Sequence, residues 1–179
     1  MIRSDMRWCD NTRYMCQKGY SQLWILRRLR GLGASTDELK DVYFKQVRSV
    51  LELAVPVWQP ALTHHEEKQI ERVQKCALAI VMGDKYKNYD EAREVLGIER
   101  LSDRRKTLCE NFAKKAAKSD RYQNWFNQIE YLDNKCSIST RSKKNKIAPL
   151  YHTIPTRTRR YKKSPLPYLT EMLNQMNTK

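Results

Sequence analysis

Apolar residues recur at intervals of three or four between Leu39 and Val55, and this pattern constrains the fold more than any other feature of the chain. The spacing places these residues on one face of an α-helix. Ser35 and Glu38 precede it as a capping box, in which a hydroxyl and a carboxylate satisfy amide donors at a helix start. We predict one helix from this cap to Pro56, because proline does not continue a helix.

The following sequence repeats the helical pattern. Thr63 and Glu66 form a second capping box, which predicts a helix that ends at Gly83. Two further helices are expected, from Asn88 to Gly97 and from Ser102 to Lys118. Strand patterns and internal repeats are not apparent. We therefore predict an all-α fold, a small irregular helical bundle.

The N-terminal part of the chain carries a weaker helical signal. Asn11 is predicted to cap a helix that stops at the glycines on either side of Leu32. Its apolar stripe is imperfect and consists of Met15, Tyr20, Leu23, Trp24 and Ile25. We interpret Trp24 and Trp58 as packing anchors rather than as platforms on which nucleic-acid bases stack.

Charge is distributed unevenly along the chain. The formal net charge is +15 over 179 residues. No Asp or Glu occurs from Asn134 to Thr170, but ten Lys and Arg do, and the rest of the chain holds 25 cations and 20 acids. We predict a helical domain at 1–133 and a basic, largely irregular segment at 134–179, closed by a short helix at about 166–174 that docks back.

Such a charge favours polyanions, with nucleic acid first and an anionic membrane surface second. The candidate nucleic-acid contacts lie on the helical domain and in the basic segment: Arg27, Arg28, Arg30, Lys45, Arg48, Lys143, Lys144, Arg157, Arg159, Arg160, Tyr161, Lys162 and Lys163. Tyr151 and Tyr161 either stack on bases or pin the basic segment to the helical domain. A nuclear-import signal and a solvated tail are alternative readings of residues 157–163.

Signals for catalysis are weak. His64-His65-Glu66-Glu67 is the densest group of metal-ligating residue types, but adjacent helical residues point about 100° apart and rarely share one ion. The five cysteines lack the signatures of a nucleophile, and no Gly-rich phosphate loop is present. We therefore predict no catalytic residue, no metal site and no cofactor.

The cysteines also bear on location. They are odd in number and lack the C-x-x-C spacing of a zinc site, which fits a reducing compartment. The N-terminal sequence has no apolar core of a secretory signal, and the longest apolar run, Cys76 to Met82, is too short to cross a bilayer. We expect an intracellular protein, cytoplasmic or nuclear, without a membrane partner.

Three blocks of the chain resemble, in the same order, the segment that follows the polymerase palm in LINE-type (non-LTR) retrotransposon reverse transcriptases: KGYSQLWILRRLRGLGAS, DVYFKQVRSVLELAVPVWQPALT and IERVQKCALAIVMGDKYKNYDEAREVLGIERLSDRRKTLCENFAKK. The closing TRTRRYKKSPLPYLTEMLN is similar to the end of the same reading frames. The resemblance extends from about Ser4 to Asn174. It implies a thumb-like domain that holds the template–primer duplex during RNA-directed DNA synthesis, with residues 1–10 as a candidate remnant of a palm strand.

The resemblance also implies that this chain has no catalytic residue, since the family's magnesium-binding aspartates lie in the palm and no position here matches them. The expected function is that of a non-catalytic C-terminal polymerase fragment, which contacts RNA or an RNA–DNA duplex electrostatically and whose parent protein supplies a palm domain. A functionless structural remnant is one alternative. Another is the domain associated with AlkB-like tRNA-modifying dioxygenases, although their iron triad requires a His-x-Asp motif that this sequence lacks.

Overall fold

The computed structural model describes residues 8–126, 128 and 150–177. Over these residues the protein is all-α, as predicted, and contains no β-strand. The chain packs into two compact units, Met1–Thr107 and Leu108–Lys179. The predicted boundary between 133 and 134 falls outside the described residues, as does most of the candidate palm strand at 1–10.

The helices follow one another with short connections. The first unit contains α1 (Cys9–Gly31), α2 (Thr36–Val42), α3 (Ser49–Glu52), α4 (Val55–Trp58), α5 (His64–Met82), α6 (Tyr89–Leu96) and the start of α7 (Leu101–Lys118). A π-helical turn, Tyr43–Arg48, joins α2 to α3, and 3₁₀ turns follow α4 at Gln59–Ala61 and α5 at Gly83–Lys85. The second unit contains the rest of α7, a 3₁₀ turn at Asp120–Trp125, α8 (Arg159–Lys162) and α9 (Pro165–Asn177).

The helix predicted from Ser35 begins where expected. The Ser35 hydroxyl accepts a hydrogen bond from the Glu38 amide, and the Glu38 carboxylate accepts one from the Ser35 amide at 2.8 Å. The side chains that it buries completely or almost completely recur every four residues: Leu39, Tyr43, Val47 and Leu51. Four residues exceed the 3.6 of an α-helical turn, so the wider π-helical turn keeps this row facing the core.

The prediction that this helix runs to Pro56 is wrong. It ends at Glu52, and Ala54 takes the left-handed conformation, with φ of 53°. Pro56 instead occupies the first turn of α4, where its missing amide hydrogen is not needed. The break turns the chain so that the Trp58 indole donates to the Leu53 carbonyl at 2.7 Å.

The predicted boundaries of α5 and α6 are confirmed. The Thr63 and Glu66 capping box forms at the start of α5, and the helix ends before Gly83. The Asn88 side chain accepts from the Glu91 amide at the start of α6, and Gly97 ends that helix in the left-handed conformation. These signals are local in sequence, which is why they can be read without the tertiary structure.

The prediction for the start of α1 is wrong. The helix begins at Cys9, two residues before Asn11, whose side chain donates to the Met15 sulfur instead of capping the helix. Trp58 is a packing anchor as predicted, at 1% exposed, but Trp24 is 66% exposed. Trp24 lies five residues after Gly19, which marks the buried face of α1. Because each residue of an α-helix turns by about 100°, the Trp24 side chain points about 140° away from that buried face.

The core of the first unit lies between α1, α5 and the continuous α2–α3 segment. α1 packs tightly against α5 and α3 at Gly19, where an added Cβ would lie 2.9 Å from Val73 Cγ1 and 3.3 Å from Leu51 Cδ2. The first turn of α7 is attached by Arg104, which donates to Glu52 at 3.2 Å. The small residue at position 19 thus sets how deeply α1 packs.

Candidate nucleic-acid interface

Among the residues that the structure describes, the strongest concentration of exposed cations lies on and around α8. We name residues Arg157–Lys163 the basic turn. The Thr158 hydroxyl accepts a hydrogen bond from the Tyr161 amide at 3.1 Å and thereby caps α8. Five cations of the basic turn are exposed to solvent, and within the described ranges none forms an ion pair: Arg157, Arg159, Arg160, Lys162 and Lys163.

The basic turn is anchored on both sides. Before it, the Tyr151 amide donates to Asn174 Oδ1 at 2.9 Å, and Asn174 Nδ2 donates to the Tyr151 carbonyl at 3.0 Å. After it, α9 confirms the predicted terminal helix and buries Leu169 and Leu173. A segment held at both ends loses less conformational entropy when it binds a ligand than a free tail does.

The two tyrosines proposed for base stacking differ in exposure. Tyr151 is 7% exposed, and its ring meets Phe126 edge-on with centroids 6.1 Å apart, so its alternative role as an anchor is the one observed. Tyr161 is 46% exposed and lies among the cations of the basic turn. Only Tyr161 therefore keeps a face that a base could reach.

On the first unit, Arg27 and Arg28 are the members of the predicted set that are both exposed and without an internal partner in the described part of the chain. They lie in the last two turns of α1, and neither forms an ion pair or a side-chain hydrogen bond within the described part of the chain. Cations in this position also face the negative end of the helix dipole. Both side chains can reach an external anion without breaking an internal contact.

The other predicted cations of the first unit are already engaged. Arg30 Nη1 donates to the Ile80 carbonyl at 2.9 Å, and its other terminal nitrogen lies 3.5 Å from Asp84. Arg48 pairs with Glu52 at 3.1 Å and lies 4.2 Å from the centre of the Phe44 ring. Their guanidinium groups act first as internal donors.

Three predicted lysines remain. Lys45 is exposed and lies 3.8 Å from Asp41 one helical turn earlier, a surface pair that an external phosphate can outcompete. Lys143 and Lys144 lie outside the described residues.

Residues that the sequence reading missed line the junction between α1 and α5. We name this junction the α1–α5 seam. One hollow of about 210 Å³ is bordered by Arg13, Cys16, Gln17, Tyr20, Gln69 and Arg72. A second, open hollow of about 470 Å³ is bordered by Arg27, Arg30, Gly31, Ala79 and Ile80. A signal was present in the sequence, since Arg13, Tyr20 and Arg27 recur every seven residues and so share one helix face.

The histidine and glutamate cluster makes local contacts. His64 lies 3.8 Å from Glu67, and His65 hydrogen-bonds Gln69 at 3.0 Å. Among the residues that the structure describes, no three side chains of His, Cys, Asp or Glu converge as metal ligands would.

No helix within the described ranges is both long and apolar enough to cross a bilayer.

Comparisons of this chain with protein-family models, with curated proteins and with solved structures find no match in any of the three.

Proposed function

We propose that this chain is a non-catalytic, helical nucleic-acid-binding module of the thumb and post-thumb type, which contacts the phosphates of RNA or an RNA–DNA duplex. The observation that carries the proposal is the basic turn, whose five cations are exposed and free of ion pairs in the described part of the chain. The resemblance of the sequence to the region after the palm of LINE-type polymerases supports it. The palm of such a polymerase is the proposed protein partner.

The arrangement of the basic turn favours phosphate contacts over base recognition. Three of its cations, Arg159, Arg160 and Lys162, lie in the single turn of α8, while Arg157 precedes that turn and Lys163 follows it, so their side chains point in several directions. Phosphate contacts tolerate such variety, whereas reading a base edge requires a fixed, bidentate donor pair. We therefore expect binding that is insensitive to sequence and that depends on salt through counterion release.

The test is the salt dependence of binding to an RNA–DNA hybrid. Arg159, Arg160, Lys162 and Lys163 are changed together to Gln. The slope of log affinity against log salt should become shallower by about 2 to 4, since each phosphate contact contributes about 0.9 to it. The matched control changes four exposed lysines of α7 to Gln, which alters the net charge equally: Lys106, Lys114, Lys115 and Lys118.

The control separates a binding surface from a general charge effect. If both variants flatten the slope equally, the protein binds only as any polycation does, and the functionless remnant becomes the better description. Primer extension by the purified chain with Mg²⁺ and nucleotides would overturn the non-catalytic part of the proposal.

A further inference from the structure

The α1–α5 seam combines open hollows, cations and exposed aromatic rings on one surface. α1 and α5 run in the same direction along it, because Arg13 borders a hollow with Gln69 and Arg72 whereas Arg30, later in α1, donates to Ile80. The two hollows are centred about 13 residues apart along α1, or roughly 19 Å at the rise of an α-helix. A strand of several nucleotides can extend over that distance.

Two exposed aromatic residues of α1, Tyr20 and Trp24, precede Arg27 of the second hollow along the helix. Tyr20 borders the first hollow and is 38% exposed, and Trp24 follows one turn later at 66% exposed. Residues four apart on a helix are surface neighbours, so the two rings form adjacent platforms. Trp24 has no role in the core, and exposed rings beside cations are the usual means by which proteins hold unpaired bases.

The seam is also free of negative charge along most of its length. No Asp or Glu lies between Asn11 and Ala34 on α1, or between Arg72 and Gly83 on α5. Burial raises the pKa of the Cys16 thiol to about 11 and raises that of Tyr20, so both groups stay neutral at physiological pH. Asp84, at the far end, is paired with Arg30.

The second hollow is kept open by a glycine. An added Cβ at Gly31, the last residue of α1, would meet no heavy atom within 4 Å. A larger residue there would therefore fit the fold but would occupy the hollow beside Arg27. The space is available to a ligand rather than being required for packing.

We propose that the α1–α5 seam is a groove for single-stranded nucleic acid, in which bases stack on Tyr20 and Trp24 while phosphates pair with Arg13, Arg27 and Arg72. This inference rests on the proposed function and narrows it from nucleic acid in general to an unpaired strand at this surface. A duplex would bind elsewhere, since its bases are already stacked and cannot cover these rings.

The experiment compares an oligodeoxythymidylate of about 12 nucleotides with an abasic oligonucleotide of equal length and charge. Changing Tyr20 and Trp24 together to Ala should weaken binding of the first by about 10- to 100-fold. Binding of the abasic strand and of the RNA–DNA hybrid should change less than about twofold, since phosphate contacts remain. Gly31→Leu should weaken binding of the oligodeoxythymidylate without affecting the hybrid.

Tyr14→Ala is the matched control, because Tyr14 is a 55% exposed aromatic residue of the same helix that lies outside the seam. It should leave all three affinities unchanged. If the double substitution of Tyr20 and Trp24 weakens binding of the normal and abasic strands equally, or weakens neither, the proposed groove is wrong. The proposal would also be wrong if the protein bound anionic phospholipid vesicles more tightly than the oligodeoxythymidylate and the same substitutions abolished that binding.

The two proposals fail in different ways. If the hybrid binds with the expected salt slope but the double substitution leaves oligodeoxythymidylate affinity intact, the groove is wrong and the proposed function stands. If the wild-type chain binds neither the hybrid nor the oligodeoxythymidylate, both fall.

Discussion

The Arg30 guanidinium of α1 donates to the Ile80 carbonyl in the last turn of α5, at 2.9 Å. This bond satisfies a carbonyl that the end of α5 leaves without a helical partner and ties the two longest helices of the first unit together. It also explains the residue that follows α5. Gly83 has φ of 58°, and an added Cβ would overlap the Arg30 guanidinium.

Gly83→Ala should therefore destabilise the protein by about 3 kcal/mol, through backbone strain and this overlap. Gly83 has ψ of −126°, a conformation that residues with a Cβ rarely adopt, whereas Gly97 is left-handed with φ of 63° and ψ of 38° and has no heavy atom within 4 Å of an added Cβ. Gly97→Ala is therefore the control for left-handed strain alone. It should cost only the strain, about 1–2 kcal/mol. Urea unfolding measures both.

Arg30→Ala alone should cost about 1–2 kcal/mol, because it leaves the Ile80 carbonyl without its charged donor. In that background, Gly83→Ala should cost less than in the wild type, since the overlap is gone. Strict additivity of the two substitutions would show that the guanidinium does not occupy the space beside Gly83.

The second prediction concerns the buried hydrogen bond between Tyr43 and Gln74. The Tyr43 hydroxyl donates to Gln74 Oε1 at 2.6 Å, and Gln74 Nε2 donates to the Glu99 carbonyl at 2.9 Å. Both side chains are fully buried, and burial raises the pKa of Tyr43 well above its ordinary value. Gln74 thus links α5 to the π-helical turn and to the chain before α7.

Gln74→Leu should cost about 2–3 kcal/mol, because it leaves the buried Tyr43 hydroxyl without its acceptor and removes the donor to the Glu99 carbonyl. Tyr43→Phe should cost about 1–2 kcal/mol. The double variant should be more stable than the sum of the two losses predicts, since neither partner of the lost bond then remains unpaired. Independent effects in urea unfolding would contradict the coupling.

These contacts show why sequence patterns recover only part of the fold. Both capping boxes and the glycine stops could be predicted, because each depends on residues within a few positions of one another. The roles of Arg30 and Gln74 could not, since their partners are 50 and 31 residues away along the chain. The prediction that Trp24 is a packing anchor is wrong, because hydrophobicity alone does not say how far a residue lies from the buried face of α1.

Only part of the candidate site, too, could be predicted from the sequence. The basic turn was predictable from composition alone, since no acid interrupts it. The α1–α5 seam was predictable only in part: Arg13, Tyr20 and Arg27 share one face of α1, but Arg72 comes from α5 and joins them only through the packing of the two helices. Arg48 differs from Arg27 because it has Phe44 and Glu52 within reach, each four residues away along the chain.

The third prediction follows from Asp90, which accepts hydrogen bonds from both Arg100 and Arg93 at 2.8 Å. The bond from Arg100, and then that from Arg93, holds the pKa of the Asp90 carboxyl below its ordinary value of 3.8. The unfolded chain therefore takes up this proton at a higher pH than the folded chain. The stability that Asp90 contributes is present above its unfolded pKa and is lost as pH falls below about 4.

Asp90→Asn should thus lower the urea midpoint at pH 7 and make it less sensitive to acid between about pH 5 and 3 than in the wild type. Asp103→Asn serves as the control, because within the described ranges the Asp103 carboxylate forms no ion pair. A wild-type acid dependence that is identical to that of Asp90→Asn would show that the two arginines do not stabilise the ionised carboxylate.

The fourth prediction concerns the anchor that precedes the basic turn. Asn174→Ala removes both hydrogen bonds to the Tyr151 backbone and leaves a buried amide and carbonyl without this partner. The segment between Tyr151 and α9 should then open more often, and trypsin should cleave after the exposed cations of the basic turn about tenfold faster at the same enzyme concentration.

Glu171→Ala provides the matched control, since Glu171 is an exposed residue of the same helix. Its cleavage rate should equal that of the wild type. If the anchor also orders the basic turn for ligand binding, Asn174→Ala should weaken RNA–DNA hybrid binding severalfold while leaving the salt slope unchanged, because no phosphate contact is removed. A shallower slope would show instead that the anchor positions individual cations.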